Sequence, residues 1–276
     1  MNNFLRSYYN KLISNNFENP EIELRILLNK SKIINNEIIL NNFSTSQIDK
    51  NLFQRYFERR IKKEPLAKII NNKEFWNYSF YVNEHVLDPR PETELIIDSI
   101  LRYFKKKNEK YKIVDLGTGS GCIAITLAKE YINSTITATD ISKSAIKVAE
   151  KNSIDKKTCD QIKFVNCNWI KKKEIYDIIV ANPPYLNNKE YENYLKEYCC
   201  YEPKIALFGG KDGMDSYRKL AKIFNKIGNS KSLFFVEIGH LQKDECVKIF
   251  AKFSIKCIEI VRDYQSFDRV LILKKL

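Results

Sequence analysis

The chain has 276 residues, 44% of them hydrophobic and 12% aromatic, which suits one large domain with a smaller companion and a true apolar core. No window approaches the ~18 to 20 consecutive apolar residues of a membrane span, and the first residues lack a signal-peptide layout, so the expectation is a cytoplasmic protein. Seven cysteines (122, 159, 167, 199, 200, 246 and 257) form no C-x-x-C pair, and the two histidines, His85 and His240, lie far apart, which argues against a disulfide framework and against a metal site. The net charge of +13 is compatible with a nucleic-acid or acidic protein partner, but a solvated surface is the favoured reading, since charge runs such as that from Lys105 to Lys112 at a helix end usually just solvate a face.

From the start to about residue 70 the pattern is helical. Phe4, Tyr8, Leu12 and Ile13 recur at helical spacing, as do Ile22, Leu24, Ile26, Leu27 and Leu28. Thr45 or Ser46 is placed to cap a third segment running through Ile48, Leu52, Phe53, Tyr56 and Phe57. Residues 1–73 are therefore expected to form a small helical bundle. The aromatic stretch Phe75, Trp76, Tyr78, Phe80 and Tyr81, dotted with Asn, predicts a β-hairpin linker over 74–86. Pro91 in Asp88-Pro89-Arg90-Pro91-Glu92-Thr93-Glu94 suits a helix start, with acids in the first turn.

Residues 87–276 read as an α/β domain. Strands are expected at Ile113–Leu116, Thr135–Thr139, Ile162–Val165, Ile178–Ala181, Ser232–Ile238, Ile255–Val261 and Val270–Leu273, with helices between the earlier ones. That alternation implies a parallel, doubly wound sheet.

Three features carry chemistry. The first is Gly117-Thr118-Gly119-Ser120-Gly121 at a strand-to-helix turn, which concentrates three of the chain's eight glycines. Glycine lets backbone approach a ligand, and the following helix offers free N–H groups. The spacing differs from a dinucleotide fingerprint and lacks a P-loop Lys, so it suits a nucleoside with a short charged tail. The second is Asp140, about 20 residues further on at the end of the second strand, where a carboxylate can accept from both ribose hydroxyls or cap the next helix. The third is Asn182-Pro183-Pro184-Tyr185, directly after an apolar strand. The prolines stiffen the loop and offer no N–H, so the site presents acceptors: the Asn182 side-chain carbonyl and the Pro183 backbone carbonyl. A conjugated NH2 has two donors and fits between them. Such an amine is a poor nucleophile, and well-placed acceptors favour the pyramidal nitrogen that attacks an in-line methyl. Tyr185 can pack on a flat acceptor. After the third strand, Asn168 can bond an adenine edge and Trp169 can stack on the ring.

Together these motifs resemble class I methyltransferases with a Rossmann-like sheet, and more closely the bacterial-type peptide chain release factor glutamine methyltransferases. The resemblance spans nearly the whole chain: Glu64-Pro65-Leu66 with Glu74-Phe75, the Pro-Arg-Pro-Glu-Thr-Glu block, the glycine loop, Asp140, Asn168-Trp169, the Asn-Pro-Pro-Tyr loop, Glu202-Pro203, Ala206 to Gly210 with Asp212-Gly213, Glu237-Ile238-Gly239, and Asp268-Arg269-Val270. It implies methylation of the side-chain amide of the glutamine in a release factor's Gly-Gly-Gln motif. S-adenosylmethionine would be the donor and S-adenosylhomocysteine the product, with no metal. Gly117, Thr118, Gly119, Ser120 and Gly121 would line the donor's methionine end, Asp140 its ribose, and Asn168 and Trp169 its adenine. Asn182, Pro183, Pro184 and Tyr185 would grip the glutamine amide, Asn182 touching the donor as well. The N-terminal helices would dock the release factor, and a monomer without stable nucleic-acid binding is expected. Asp88, Lys68 and Asn168 depart from the family's commoner residues at their positions. The rival reading is an amino methyltransferase acting on adenine N6 or guanine N2, which poses the same chemical problem but needs a base-extracting element that the chain does not display.

Overall fold

In the computed structural model, residues 3–170, 174–198 and 201–276 are described; Cys199 and Cys200 lie outside them. Contacts divide the chain into two units, Met1–Asn71 and Asn72–Leu276.

The first unit holds four helices, α1 (Asn3–Ser14), α2 (Pro20–Ser31), α3 (Lys50–Ile61) and α4 (Leu66–Ile70). Leu5 and Leu12, two turns apart on α1, join Leu24, Leu27 and Leu28 of α2 and Phe53 and Phe57 of α3 in one buried cluster. Each such side chain taken from water contributes about 1.5–3 kcal/mol. The Tyr8 ring meets Phe53 and Phe57 edge-on at 5.0 and 4.6 Å. Arg60 binds Glu23 through two nitrogens at 2.7 and 2.8 Å, fastening α3 to α2. The cap of α3 differs from the expected Thr45 or Ser46: Asp49 accepts from the N–H groups of Asn51 and Leu52. Ser44 instead heads a single tight turn over Thr45–Gln47, and Ile48 is extended, so the helix cannot begin before Asp49.

The second unit opens with a hairpin, β1 (Lys73–Phe75) and β2 (Tyr78–Phe80), in which Phe75 pairs with Tyr78 across the two-residue turn Trp76-Asn77. Phe75 and Phe80 are buried in the core of this unit. There follow α5 (Glu94–Tyr103), β3 (Lys112–Leu116), α6 (Cys122–Glu130), β4 (Thr135–Asp140), α7 (Lys143–Asp155), β5 (Ile162–Asn166), β6 (Ile178–Ala181), α8 (Asn188–Tyr198), α9 (Lys204–Leu207), α10 (Asp215–Ile227), β7 (Leu233–Glu237), α11 (Lys243–Ala251), β8 (Ile255–Arg262) and β9 (Asp268–Lys275). The seven-stranded sheet runs β5-β4-β3-β6-β7-β9-β8. It is the class I methyltransferase arrangement.

β5, β4, β3, β6 and β7 are parallel, and β9 is antiparallel to both its neighbours. The fully parallel sheet implied by helix–strand alternation therefore stops at β7. No helix separates β8 from β9, and the short connection permits a hairpin only. β6 and β7 are buried along their whole length, covered on both faces. Ile96, Ile97 and Ile100 of α5 and Ile123 and Leu127 of α6 lie in the core on one face; Tyr217, Leu220 and Phe224 of α10 and Ile249 and Phe250 of α11 lie in the other. Strand order reverses between β3 and β6. The carboxyl ends of strands beside such a switch point leave a crevice.

Candidate active site

The loops leaving β3, β4, β5 and β6 meet around a cavity of about 340 Å3 at that crevice. Its lining includes Gly117, Thr118, Gly119, Ser120, Asp140, Asn168, Trp169, Asn182, Pro183 and Pro184. Two residues expected in the site lie behind its surface. Gly121 has φ +82° and heads α6, where a Cβ would stand 3.0 Å from Ile125 and 3.1 Å from Ala149; it serves helix packing. Tyr185 packs against the core on the α10–α11 face, and burial holds its phenol well above the usual range.

The glycine loop is shaped by the strand beside it. The N–H groups of Gly117 and Thr118 both donate to the Thr139 carbonyl, at 2.9 and 2.8 Å. Thr118 donates its hydroxyl to Asp115 at 2.6 Å, and burial pushes the Asp115 carboxyl up to about 7 despite that bond. A Cβ on Gly119 would meet nothing within 4 Å, so open space lies beside the loop. Asn152 ties the loop from below, donating to the Ser120 and Tyr81 carbonyls at 2.8 and 2.9 Å.

Asp140 accepts from the Gly119 N–H at 2.9 Å and the Ser142 N–H at 2.8 Å, one on each carboxylate oxygen. Burial raises its pKa, and these N–H groups work against that rise. The cap of α7 is Ser142, whose hydroxyl accepts from Ala145. Each Asp140 oxygen thus keeps an acceptor site. Trp169 sits with φ +63°, its ring 3.7 Å from a Cβ built on Gly117. Asn168 is exposed.

On the opposite side, Asn182 leaves β6 and its amide donates from Nδ2 to Thr93 Oγ1 at 3.0 Å. Thr93 donates in turn to Glu237 Oε2 at 2.6 Å. Among the described residues nothing donates to Asn182 Oδ1. The loop beyond is fixed through its backbone. Gln242 donates to the Tyr185 carbonyl at 2.8 Å, and the Gln242 carbonyl oxygen accepts from Tyr217 at 3.2 Å and Gly239 at 3.1 Å. Gly209 lies so close that a Cβ there would be 2.7 Å from the Pro184 carbonyl and the Tyr185 Cα. Glu202 accepts from the Asp88 N–H, from Arg90 and from Tyr194, gathering the segment before α5 beside the cavity.

Thr93, Glu237, Gln242 and Glu202 were not among the residues singled out from sequence as site residues. Two signals existed. A glutamate ends the otherwise apolar strand Leu233–Glu237, and Thr93 lies within the Pro-Arg-Pro-Glu-Thr-Glu block. Among the described residues no three His, Cys, Asp or Glu side chains group as a metal site requires, and no helix is long and apolar enough to cross a membrane.

The methyltransferase small domain family matches residues 93–205. The chain is 37% identical over 273 residues to a bifunctional methyltransferase of Rickettsia typhi, covering 91% of this chain and 53% of that protein. It thus spans about half the length of such bifunctional relatives. It is 36% identical over 263 residues to the release factor glutamine methyltransferase of Buchnera aphidicola, covering 93% of this chain and 92% of that one. Among solved structures, a methyltransferase from Pyrococcus furiosus superposes with a TM-score of 0.55 at 18% identity over 80% of this chain and 98% of that one, a likeness of fold alone.

Proposed function

Given that the chain belongs to the family of release factor glutamine methyltransferases, we propose that it methylates the side-chain amide nitrogen of the glutamine in a release factor's Gly-Gly-Gln loop, with S-adenosylmethionine as donor. The observation that carries this reading is the polarity of Asn182: its NH2 is engaged by Thr93, and its carbonyl is left as an acceptor at the cavity. An incoming amide NH2 donates one proton to Asn182 Oδ1 and the other to the Pro183 carbonyl. Held by two acceptors, the nitrogen keeps its lone pair for attack rather than for conjugation, which is catalysis by positioning and electrostatics.

The opposite side of the cavity fits the donor. Gly119 leaves open space beside the loop, Asp140 has an acceptor site on each oxygen for the ribose hydroxyls, and Trp169 offers a flat face to adenine. Bound there, S-adenosylmethionine would supply an electrophilic methyl group and leave as S-adenosylhomocysteine, with one proton of the amide nitrogen released to solvent. Asn182 and Pro183 orient the acceptor nitrogen, while Pro184 and the half-buried Tyr185 stiffen the loop that carries them. The N-terminal helices dock the body of the release factor, and the +13 charge favours acidic surface on that partner. The relatives that align over most of their length carry a protein acceptor in their names, which supports this reading over the adenine N6 or guanine N2 alternative.

The test is transfer of labelled methyl groups from S-adenosylmethionine to a purified release factor, to the same factor with its Gly-Gly-Gln glutamine replaced, and to tRNA, rRNA and DNA. Label confined to the intact factor supports the proposal. Label on a nucleic acid, with none on the factor, overturns it.

A further inference from the structure

Asn182 is held by Thr93, which is held in turn by Glu237; the three come from distant parts of the chain and form a line of hydrogen bonds with a direction. Glu237 ends β7 and is 2% exposed; Thr93 precedes α5 and is also 2% exposed. The Thr93 hydroxyl lies 2.6 Å from Glu237 Oε2 and 3.0 Å from Asn182 Nδ2. A hydroxyl has one proton to give. An ionised carboxylate can only accept, so the Thr93 proton goes to Glu237, and Thr93 must then receive its second bond from Asn182. The only donor on the Asn182 side chain is its NH2.

We propose that the Glu237–Thr93 pair sets the polarity of the Asn182 amide, so that its carbonyl faces the acceptor nitrogen; both are positioning residues for the transfer step. This rests on the acceptor role given to Asn182 above. The same geometry contains its reversal. A protonated Glu237 donates to Thr93, Thr93 donates to Asn182 Oδ1, and the amide turns its NH2 to the cavity. Two NH2 groups then face one another, and the incoming amide loses its acceptor.

Burial pushes the Glu237 carboxyl up to about 7, against the Thr93 hydrogen bond and the Arg269 charge. The titratable groups that face it are Arg90 and Glu92 ahead of α5, Cys122 on α6, Tyr185 after β6, Tyr217 on α10 and Arg269 on β9. Burial raises the Cys122 thiol to about 12 and both phenols well above neutrality, so these stay uncharged near pH 7. The arginines stay charged. Asp115 also titrates near 7, but it lies beneath the glycine loop, bonded to Thr118, so its protonation registers in donor affinity.

The experiment compares wild type, Thr93→Val, Thr93→Ser and Glu237→Gln as full-length proteins. Valine keeps threonine's shape without the hydroxyl, and Thr93→Val lowers kcat by about 10- to 100-fold with the KM for the release factor little changed. Thr93→Ser restores most of the loss. The wild-type kcat falls about tenfold per pH unit below about 7, and this acid limb is absent in Glu237→Gln. A second readout needs no acceptor: the side-chain amide NMR signals of Asn182 shift with a midpoint near pH 7 in wild type and stay in place in Glu237→Gln. Wild-type kcat in folded Thr93→Val, or an unchanged Asn182 titration in Glu237→Gln, overturns the inference. If wild type methylates no release factor while Asn182 still titrates through Glu237, the substrate reading fails and the relay stands.

Discussion

The two sides of the cavity are built by different means. The donor side is made of backbone and near neighbours in sequence: Gly117 to Ser120, with the N–H groups of Gly117, Thr118 and Gly119 tied to the adjacent strand and to Asp140. The acceptor side is made of side chains brought from far apart, Thr93, Asn182 and Glu237, with Gln242 and Gly209 behind them. A backbone cradle survives many substitutions because most side chains contribute nothing to it. A relay of side chains has no such tolerance, since each member decides which way its neighbour donates. The lesson is that turnover should be fragile on one side and affinity graded on the other.

Substitutions on the two sides should separate turnover from affinity. Asn182→Ala should have the largest effect, lowering kcat by about 10^2- to 10^3-fold, the scale of a lost transition-state hydrogen bond, with donor Kd nearly constant by calorimetry. Turnover near the wild-type rate would remove the basis for an amide clamp. Next comes Gly209→Ala. Its Cβ would meet loop backbone, which cannot step aside, so a shift of the Asn-Pro-Pro-Tyr loop, about tenfold lower kcat and about 1–3 kcal/mol of lost stability are expected. Equal kcat would show that the loop tolerates displacement. On the donor side, Asp140→Ala should weaken S-adenosylmethionine binding by about tenfold while saturating kcat moves less. An unchanged Kd would assign Asp140 to loop geometry alone. Ser142→Ala should be mildest, costing about 1 kcal/mol in thermal unfolding through loss of the α7 cap.

The same contrast explains what was legible in the sequence. The glycine loop, Asp140 and the Asn-Pro-Pro-Tyr loop stand out because each is a run of neighbours, or one residue at a strand end, and the structure brings them to one cavity. Tyr185 follows the two prolines, and its half-buried ring packs against the core on the α10–α11 face rather than lining the cavity. Gly121 belongs to the motif by spacing and to the packing of α6 against Ala149 by contact. Thr93 and Glu237 could not be paired from sequence, because no periodicity links two residues on separate elements that meet only once the sheet has formed. The reversal of β9 was hidden for a related reason. A strand pattern records burial, and only the length of the connection records direction. Asp49 capped α3 in place of Thr45 or Ser46, because several Ser, Thr and Asp residues competed and the extended Ile48 decided between them.

The proposed function turns on acceptors that this cavity presents to the amide NH2 of a protein glutamine. The most direct measurement is fragmentation mass spectrometry of a purified release factor after incubation with this protein and S-adenosylmethionine. One methyl group on the side-chain nitrogen of the Gly-Gly-Gln glutamine, absent when Asn182→Ala replaces the wild type, is the predicted result. An unmodified glutamine alongside methylated tRNA, rRNA or DNA from parallel reactions would contradict it.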